Sequence, residues 1–291
     1  MRKTRALTVL VTSMLLAACC GSSPPAATAT TAPPATASAP PPTVAAATDQ
    51  TATTSAASTT GLTSDAIKSL LAAPDRTDAD RKTDTQRHPD QLLQFLGVAP
   101  GMHVADLGSG TGYTTELLAR AVGPNGKVYA QNDPGLVKKF MDKPLSERLA
   151  MPANKNVVRE DRTFDDPLPA DATNLDLVTN YVFYHDAVWL GADRDKMNKA
   201  VLAALKPGGT YVIVDASAKA GDGTNDTKTL HRIDENVVKA EVLKAGFTFV
   251  SSADFLRNPS DTRDWNSSPK AAGDRRGTED RFIFKFQKPA K

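Results

Sequence analysis

In Asp106-Leu107-Gly108-Ser109-Gly110-Thr111-Gly112-Tyr113, glycine falls on every second position from 108, after a short apolar run and before an amphipathic one. Glycine takes positive φ and lets a ligand approach the backbone with no Cβ in the way. A turn of this kind at a strand exit is either a nucleotide cradle or a bare strand-to-helix reversal. A dinucleotide fingerprint would be G-x-G-x-x-G, whereas here the spacing is G-x-G-x-G. A P-loop needs Lys-Ser or Lys-Thr after its glycines, and none follows. Further on, Tyr181, Phe183, Tyr184 and His185 form one group with the residue types to handle a second ligand, and His231-Arg232 forms another. Histidine titrates near neutrality, which makes His185 the candidate general base. Arg232 carries the planar fork that clamps an anion. The plainer alternatives are packing for Phe183 and Tyr184, a structural His185, and a helix-entry ion pair of Arg232 with Asp234 or Glu235. The four histidines (His88, His103, His185 and His231) have no ligand spacing and the two cysteines are Cys19 and Cys20, so no metal is predicted.

The elements that must position these groups follow from periodicity. A helix is expected over 64–73, while 75–87 is dense in Asp, Arg, Thr and Lys and has no pattern of its own. His88-Pro89 opens a short helix carrying Leu92, Leu93, Phe95 and Leu96, closed by Gly97. Strands over 103–107, 127–131, 156–159, 175–179 and 210–215 alternate with helices over 114–122, 134–150 and 196–205. The second of these helices should break near Pro144, with Leu136, Val137, Phe140 and Leu149 available for burial. The third stops at Lys206-Pro207-Gly208-Gly209. A helix over 233–244 and strands over 247–255 and 281–286 complete the chain. Strands alternating with helices imply an α/β parallel sheet wound on both sides, and the last two strands imply one antiparallel edge.

Four linked stretches then carry a resemblance. They are Val104-Ala105-Asp106 running through the glycines to Tyr113, Asp161 after the third strand, Leu175-Asp176-Leu177-Val178-Thr179-Asn180 at the fourth, and Leu205-Lys206-Pro207-Gly208-Gly209 before the fifth. In order and spacing they resemble the class I S-adenosylmethionine-dependent methyltransferases, from about His88 to Lys291. Phe95-Leu96-Gly97-Val98-Ala99-Pro100-Gly101-Met102, His231-Arg232-Ile233-Asp234-Glu235, Leu256-Arg257-Asn258-Pro259 and the closing Asp280-Arg281-Phe282-Ile283-Phe284-Lys285-Phe286 resemble a bacterial group of predicted methyltransferases with exported members and no settled substrate. The resemblance implies a Rossmann-like three-layer α/β sandwich with a mostly parallel seven-stranded sheet and an antiparallel last strand.

It also implies S-adenosylmethionine as cofactor. Gly108, Ser109, Gly110 and Gly112 would wrap its methionine part, with Asp106 holding the turn or meeting the amino group through water. Asp161 would receive the adenine amino group, and Asn180 and Tyr181 would stand at the lip where the acceptor lies. The acid that ordinarily accepts both ribose hydroxyls is replaced by Asn132, with Asp133 next in sequence. Either Asp133 serves, or Asn132 makes weaker neutral hydrogen bonds. Methyl transfer from a sulfonium is an in-line displacement that needs alignment and a dry site, with no covalent residue. A base such as His185 is required only where the acceptor keeps its proton. Tyr181, Tyr184, His231 and Arg232 are the candidate acceptor contacts. The polar stretch 257–280 around Trp265 is a lid or a solvated hairpin, and Arg76, Arg81 and Arg87 are candidates for a cap.

The start of the chain points to export. Met1-Arg2-Lys3-Thr4-Arg5 is basic, an apolar run follows to Ala18, and this is the pattern of a secretory signal rather than of a spanning helix. Leu16-Ala17-Ala18-Cys19 resembles the bacterial lipobox, which implies cleavage before Cys19 and lipidation of its thiol. Residues 22–60 are nearly all Ala, Thr, Pro and Ser, a composition that cannot offset its ordering entropy. The expected organisation is a signal peptide over 1–18, a disordered tether over 19–60 and one methyltransferase-like domain over 61–291, lipid-anchored to a membrane in the cell envelope and facing the periplasm. A net charge of +2 with mixed signs argues against nucleic acid, and the sequence names no protein partner. Export conflicts with a cofactor made in the cytoplasm. Beside an enzyme acting on a small-molecule acceptor stand a non-catalytic lipoprotein binding a nucleoside-like metabolite, an envelope interaction module and, more distantly, a dinucleotide oxidoreductase.

Overall fold

The computed structural model describes residues 61–290. The expected signal peptide, the lipidated Cys19 and the tether lie outside the described residues.

Three helices precede the sheet. In α1 (Ser64–Leu71) and α2 (Asp78–Arg87) the hydroxyls of Thr63 and Thr77 accept from first-turn amides, which satisfies donors a helix start otherwise leaves open. Helix α2 was not expected, because its residues lack an apolar period. Charge holds it instead: Arg76 grips Asp84 through two 2.7 Å hydrogen bonds, and Arg148 grips the buried Asp80. Helix α3 (Pro89–Leu96) begins on a proline, whose missing N–H costs nothing there, and ends at Gly97 with φ of 71°.

Strand β1 (His103–Leu107) leads through the glycine turn to α4 (Tyr113–Val122) and then β2 (Lys127–Asn132). Next come α5 (Pro134–Leu136), a π-helical turn over Val137–Met141, and α6 (Asp142–Leu149). Pro144 sits in the first turn of α6, so the break falls before it, and Phe140 is 60% exposed rather than buried. Strands β3 (Val157–Asp161) and β4 (Leu175–Tyr181) precede α7 (Tyr184–Trp189) and α8 (Arg194–Ala204). After them come β5 (Leu205–Ala216), α9 (Glu235–Lys244), β6 (Thr248–Ala253), α10 (Pro269–Ala272) and β7 (Arg281–Gln287).

The sheet runs β3-β2-β1-β4-β5-β7-β6, with β7 antiparallel to both its neighbours and the pairs among β1 to β5 parallel. The antiparallel strand does not form the edge. Strand β7 carries Phe282, Ile283, Phe284 and Phe286, all buried, and a strand covered on both faces belongs inside a sheet. The half-exposed β6 takes the edge. Core residues pack on both faces, Tyr211, Ile213 and Phe282 on one and Leu117, Val212 and Ile283 on the other. Strand β1 lies between β2 and β4, so the winding reverses there, and the carboxyl ends of β1 and β4 form the crevice where ligands of open α/β sheets settle. Among the described residues no helix is long and apolar enough to cross a membrane.

Candidate functional site

The glycine turn fills the exit of β1. Gly108, Gly110 and Gly112 have φ of 64°, 60° and 85°. At Gly108 a Cβ would stand 2.3 Å from Cβ and Cγ of Phe183, so only glycine admits that contact. Phe183 is aimed there by Val182, whose φ of 62° is a rare conformation for a β-branched residue.

The turn is strapped to the end of β2. Gly108 N–H donates to Gln131 Oε1, Ser109 N–H to the Gln131 carbonyl, and Gly110 N–H to Asn132 Oδ1 at 2.8 Å. Asn132 also donates from Nδ2 to Ser109 Oγ at 2.7 Å. An amide accepts and donates at once, which a carboxylate cannot do. Asn132 is therefore committed to holding the turn. Asp133 follows directly, half-buried, with Oδ1 accepting from the Gly135 and Leu136 amides. Asp106 is buried and accepts from the hydroxyls of Thr115 and Thr179, each at 2.7 Å, so it ties α4 to β4 beneath the turn. Burial pushes its carboxyl up to about 6 against the pull of those hydroxyls. Asp161 ends β3 in register with Asn132, 37% exposed at its side chain and held by Arg159.

Arg87, a candidate for a cap in the sequence, lies against the residues that flank the turn. Its guanidinium lies 5.0 Å from the ring centre of Tyr113, the first residue after the turn, and 4.5 Å from that of Tyr181 at the end of β4. Among the described residues it pairs with no carboxylate, and burial lowers its pKa. Tyr181 is thus packed beneath a cation, and its hydroxyl faces Arg281. Asn180, one residue earlier, is fully buried with neither amide atom partnered. The buried Tyr211 hydroxyl beside it also lacks a partner, and burial raises that phenol.

The second group of candidates is distributed differently from expectation. Tyr184 is fully buried, donating to Glu241 and accepting from Asn198, which places it in the packing behind β4 and not at an acceptor. Arg232 is also fully buried. Four of its five N–H donors reach Asp261, at 2.7 Å for the nearer oxygen, and the carbonyls of Ser217 and Trp265, so its charge is already paired inside the protein and does not clamp a ligand anion. With Arg257 and Arg263 on Asp280, it pins the stretch 257–280 to the end of β5; that stretch is neither a solvated hairpin nor loose.

His185 and His231 do come together. Nδ1 of His185 lies 2.7 Å from Asp215 Oδ1, its backbone N–H donates to Asp215 Oδ2, and its Nε2 is 3.2 Å from His231 Nδ1. Asp186 Oδ1 touches both rings and accepts from Trp189 Nε1 at 2.5 Å. Burial alone would lower His185, but the charges of Asp215 and Asp186 push it up to about 10. Burial alone would raise Asp186, but His185 pulls it well below the usual carboxylate range. His185 is therefore enclosed by acids and is not an open neutral base, while His231, 25% exposed at its side chain, reaches the surface.

A family model described as protein-L-isoaspartate (D-aspartate) O-methyltransferase matches residues 81–161. The ubiquinone/menaquinone biosynthesis C-methyltransferase of Pseudomonas aeruginosa is 26% identical over 188 residues, covering 55% of this chain and 70% of that one. The protein-L-isoaspartate O-methyltransferase of Triticum aestivum is 34% identical over 115 residues, covering 39% of this chain and 46% of that one. Among solved structures, a methyltransferase from Aquifex aeolicus superposes with a TM-score of 0.51 at 19% identity, over 78% of this chain and 98% of its own. That likeness places the fold.

Proposed function

We propose that this chain, a class I S-adenosylmethionine-dependent methyltransferase, acts on a small-molecule acceptor held at the carboxyl ends of β4 and β5. The observation that carries the reading is Arg87, a cation with no carboxylate partner among the described residues, stacked between Tyr113 and Tyr181 beside the three glycines of positive φ. A half-buried guanidinium without a counter-charge suits a carboxylate ligand, and the cofactor's methionine end carries one. The other residues fit the rest of the molecule. Gly108, Ser109, Gly110 and Gly112 leave a wall with no Cβ, Asp133 offers the acid that Asn132 does not, Asp161 stands at the adenine position, and Asn180 presents a buried amide with both atoms unsatisfied. When bound, the cofactor supplies an electrophilic methyl group. The chain's task is then alignment and exclusion of water, for which Phe183 against the turn and the buried Tyr181 provide apolar walls.

The relatives are named for methylation of different atoms, carbon in one and oxygen in the other. The part of the chain that the family model matches is the cofactor half. The acceptor is accordingly the part that β4 to β7 must define. The reading includes attachment to a cell-envelope membrane through lipidated Cys19, facing the periplasm, supported by the basic start and by Leu16-Ala17-Ala18-Cys19. Cys19→Ala protein should move from the membrane to the soluble fraction of cells.

The cofactor is tested by calorimetric titration of the full chain with S-adenosylmethionine and its demethylated product, with NAD as control. Micromolar binding of both and none of NAD is expected. Arg87→Met should weaken binding about 10–100-fold, the worth of a hydrogen bond to a charged group, and Asp161→Ala should weaken it as well. A folded chain that binds neither compound overturns the reading.

A further inference from the structure

His185, Asp186 and His231 each bring one donor atom to a common point. The three separations are 3.2 Å between His185 Nε2 and His231 Nδ1, 3.3 Å from His185 Nε2 to Asp186 Oδ1, and 3.5 Å from His231 Nδ1 to that oxygen. A tetrahedral ion with bonds of about 2.0–2.1 Å holds its donors about 3.3–3.4 Å apart. An octahedral magnesium at about 2.0–2.1 Å would hold neighbouring donors nearer 2.9 Å apart. The observed triangle has tetrahedral edges.

The surroundings are those of a ligand set. Asp215 takes His185 by both its ring and its backbone, which fixes the ring and turns Nε2 toward the other two donors. A carboxylate behind a histidine is the usual outer partner of a metal-bound imidazole. Trp189 orients the Asp186 carboxylate in the same way. Charge points to the same conclusion. Asp186 and Asp215 are both buried, and among the described residues neither pairs with lysine or arginine. A divalent ion held between the two rings would add counter-charge beside both acids, where buried charge is otherwise costly. His231 closes the triangle from a backbone at φ of 53°, with its carbonyl held by Ser267 Oγ at 2.6 Å. Its partial exposure gives an ion a way in.

We propose that His185 Nε2, His231 Nδ1 and the Asp186 carboxylate bind one divalent transition-metal ion, zinc by chemistry and geometry, with a fourth position open beside His231. Nitrogen and carboxylate donors at these separations suit zinc, and three protein ligands with an open fourth position is the pattern of reactive rather than purely structural zinc. This site stands on its side chains alone. One extension rests on the methyltransferase reading: at the ends of β4 and β5 the ion would select acceptors bearing an ionised oxygen.

The test uses the full-length untagged chain, stripped with a chelator and titrated with zinc chloride by calorimetry and with cobalt chloride by visible absorption. One equivalent of zinc and a tetrahedral cobalt spectrum are expected. His231→Asn, chosen because asparagine tolerates the left-handed backbone, should abolish both. Asp215→Asn leaves all three donors in place and should weaken zinc about 10–100-fold. Cys19 and Cys20 are common to all these proteins, so thiol capture cancels in the comparison. A cooperatively melting chain that binds no zinc overturns the site, as does binding that His231→Asn leaves unchanged. S-adenosylmethionine titrated into the same samples separates failure of the metal site from failure of the methyltransferase reading.

Discussion

The glycine turn and the His185 cluster both lie at the carboxyl ends of the parallel strands and are built on opposite principles. The turn is made of backbone: its amides are strapped to Gln131 and Asn132, and its shape depends on what is missing from Gly108. The cluster is made of side chains, with donors from α7, the end of β5 and the loop before α9 turned toward one another. A site made of backbone is vulnerable to one added methyl group and tolerant of much else. A site made of side chains is vulnerable to the loss of any donor. The two should therefore fail differently.

The largest effect is expected at Gly108→Ala. The left-handed φ costs an alanine about 1–2 kcal/mol, and the contact with Phe183 adds an overpacking cost of about 1–3 kcal/mol. Cofactor binding should be lost and the denaturant midpoint should fall. Adding Phe183→Ala should return the steric share and leave the backbone share. If Gly108→Ala unfolds at the same denaturant concentration as the parent, Phe183 does not lie against the turn.

The buried acids sharpen the contrast. Asp106, under the turn, meets only hydroxyls, and burial raises it to about 6. Asp186, in the cluster, meets imidazoles and is held low. A carboxyl whose pKa is raised on folding takes up a proton as the chain folds, so its stabilising contribution is present below about pH 4 and is lost as pH rises through 6. A displacement from 3.8 to about 6 corresponds to about 3 kcal/mol. Asp106→Asn removes that dependence. Urea unfolding of both proteins from pH 4 to 7 should show the stability difference moving by that amount in favour of the variant. A constant difference would mean that Asp106 is solvated and does not tie α4 to β4.

The same contrast explains what was legible in the sequence. Alternating glycines declare a backbone requirement within five residues, so the turn, its strand and its helix could be read directly. The alternation of strands and helices gave the sheet as well. Helix α2 was hidden because it is held by Arg76, Arg148 and their acids rather than by an apolar stripe, and Arg87 at its end could be read only as a candidate for a cap, not as the neighbour of Tyr113 and Tyr181. The cluster was hidden by distance along the chain: 46 residues separate His185 from His231, and no spacing rule spans them. Arg232 could be recognised as a strong anion clamp, but its anion is Asp261, 29 residues on, rather than a ligand. Residue type tells what a side chain can bind; only the fold tells whether it is already bound.

Tyr184 gives the smallest effect and the narrowest test, because it adjoins His185 in sequence yet faces the other way. Its hydroxyl joins Glu241 at 2.9 Å and Asn198 at 2.8 Å, and Glu241 keeps Arg194 when the tyrosine is shortened. Tyr184→Phe removes one buried hydroxyl and leaves the ring, which should cost about 1 kcal/mol of stability. Affinity for S-adenosylmethionine and for zinc should stay at the parent value, since neither site includes that oxygen. A variant with unchanged melting but altered affinity would put the hydroxyl at a ligand and move the boundary of the acceptor site across β4. A variant that only melts earlier keeps Tyr184 in the packing that holds His185 toward Asp215.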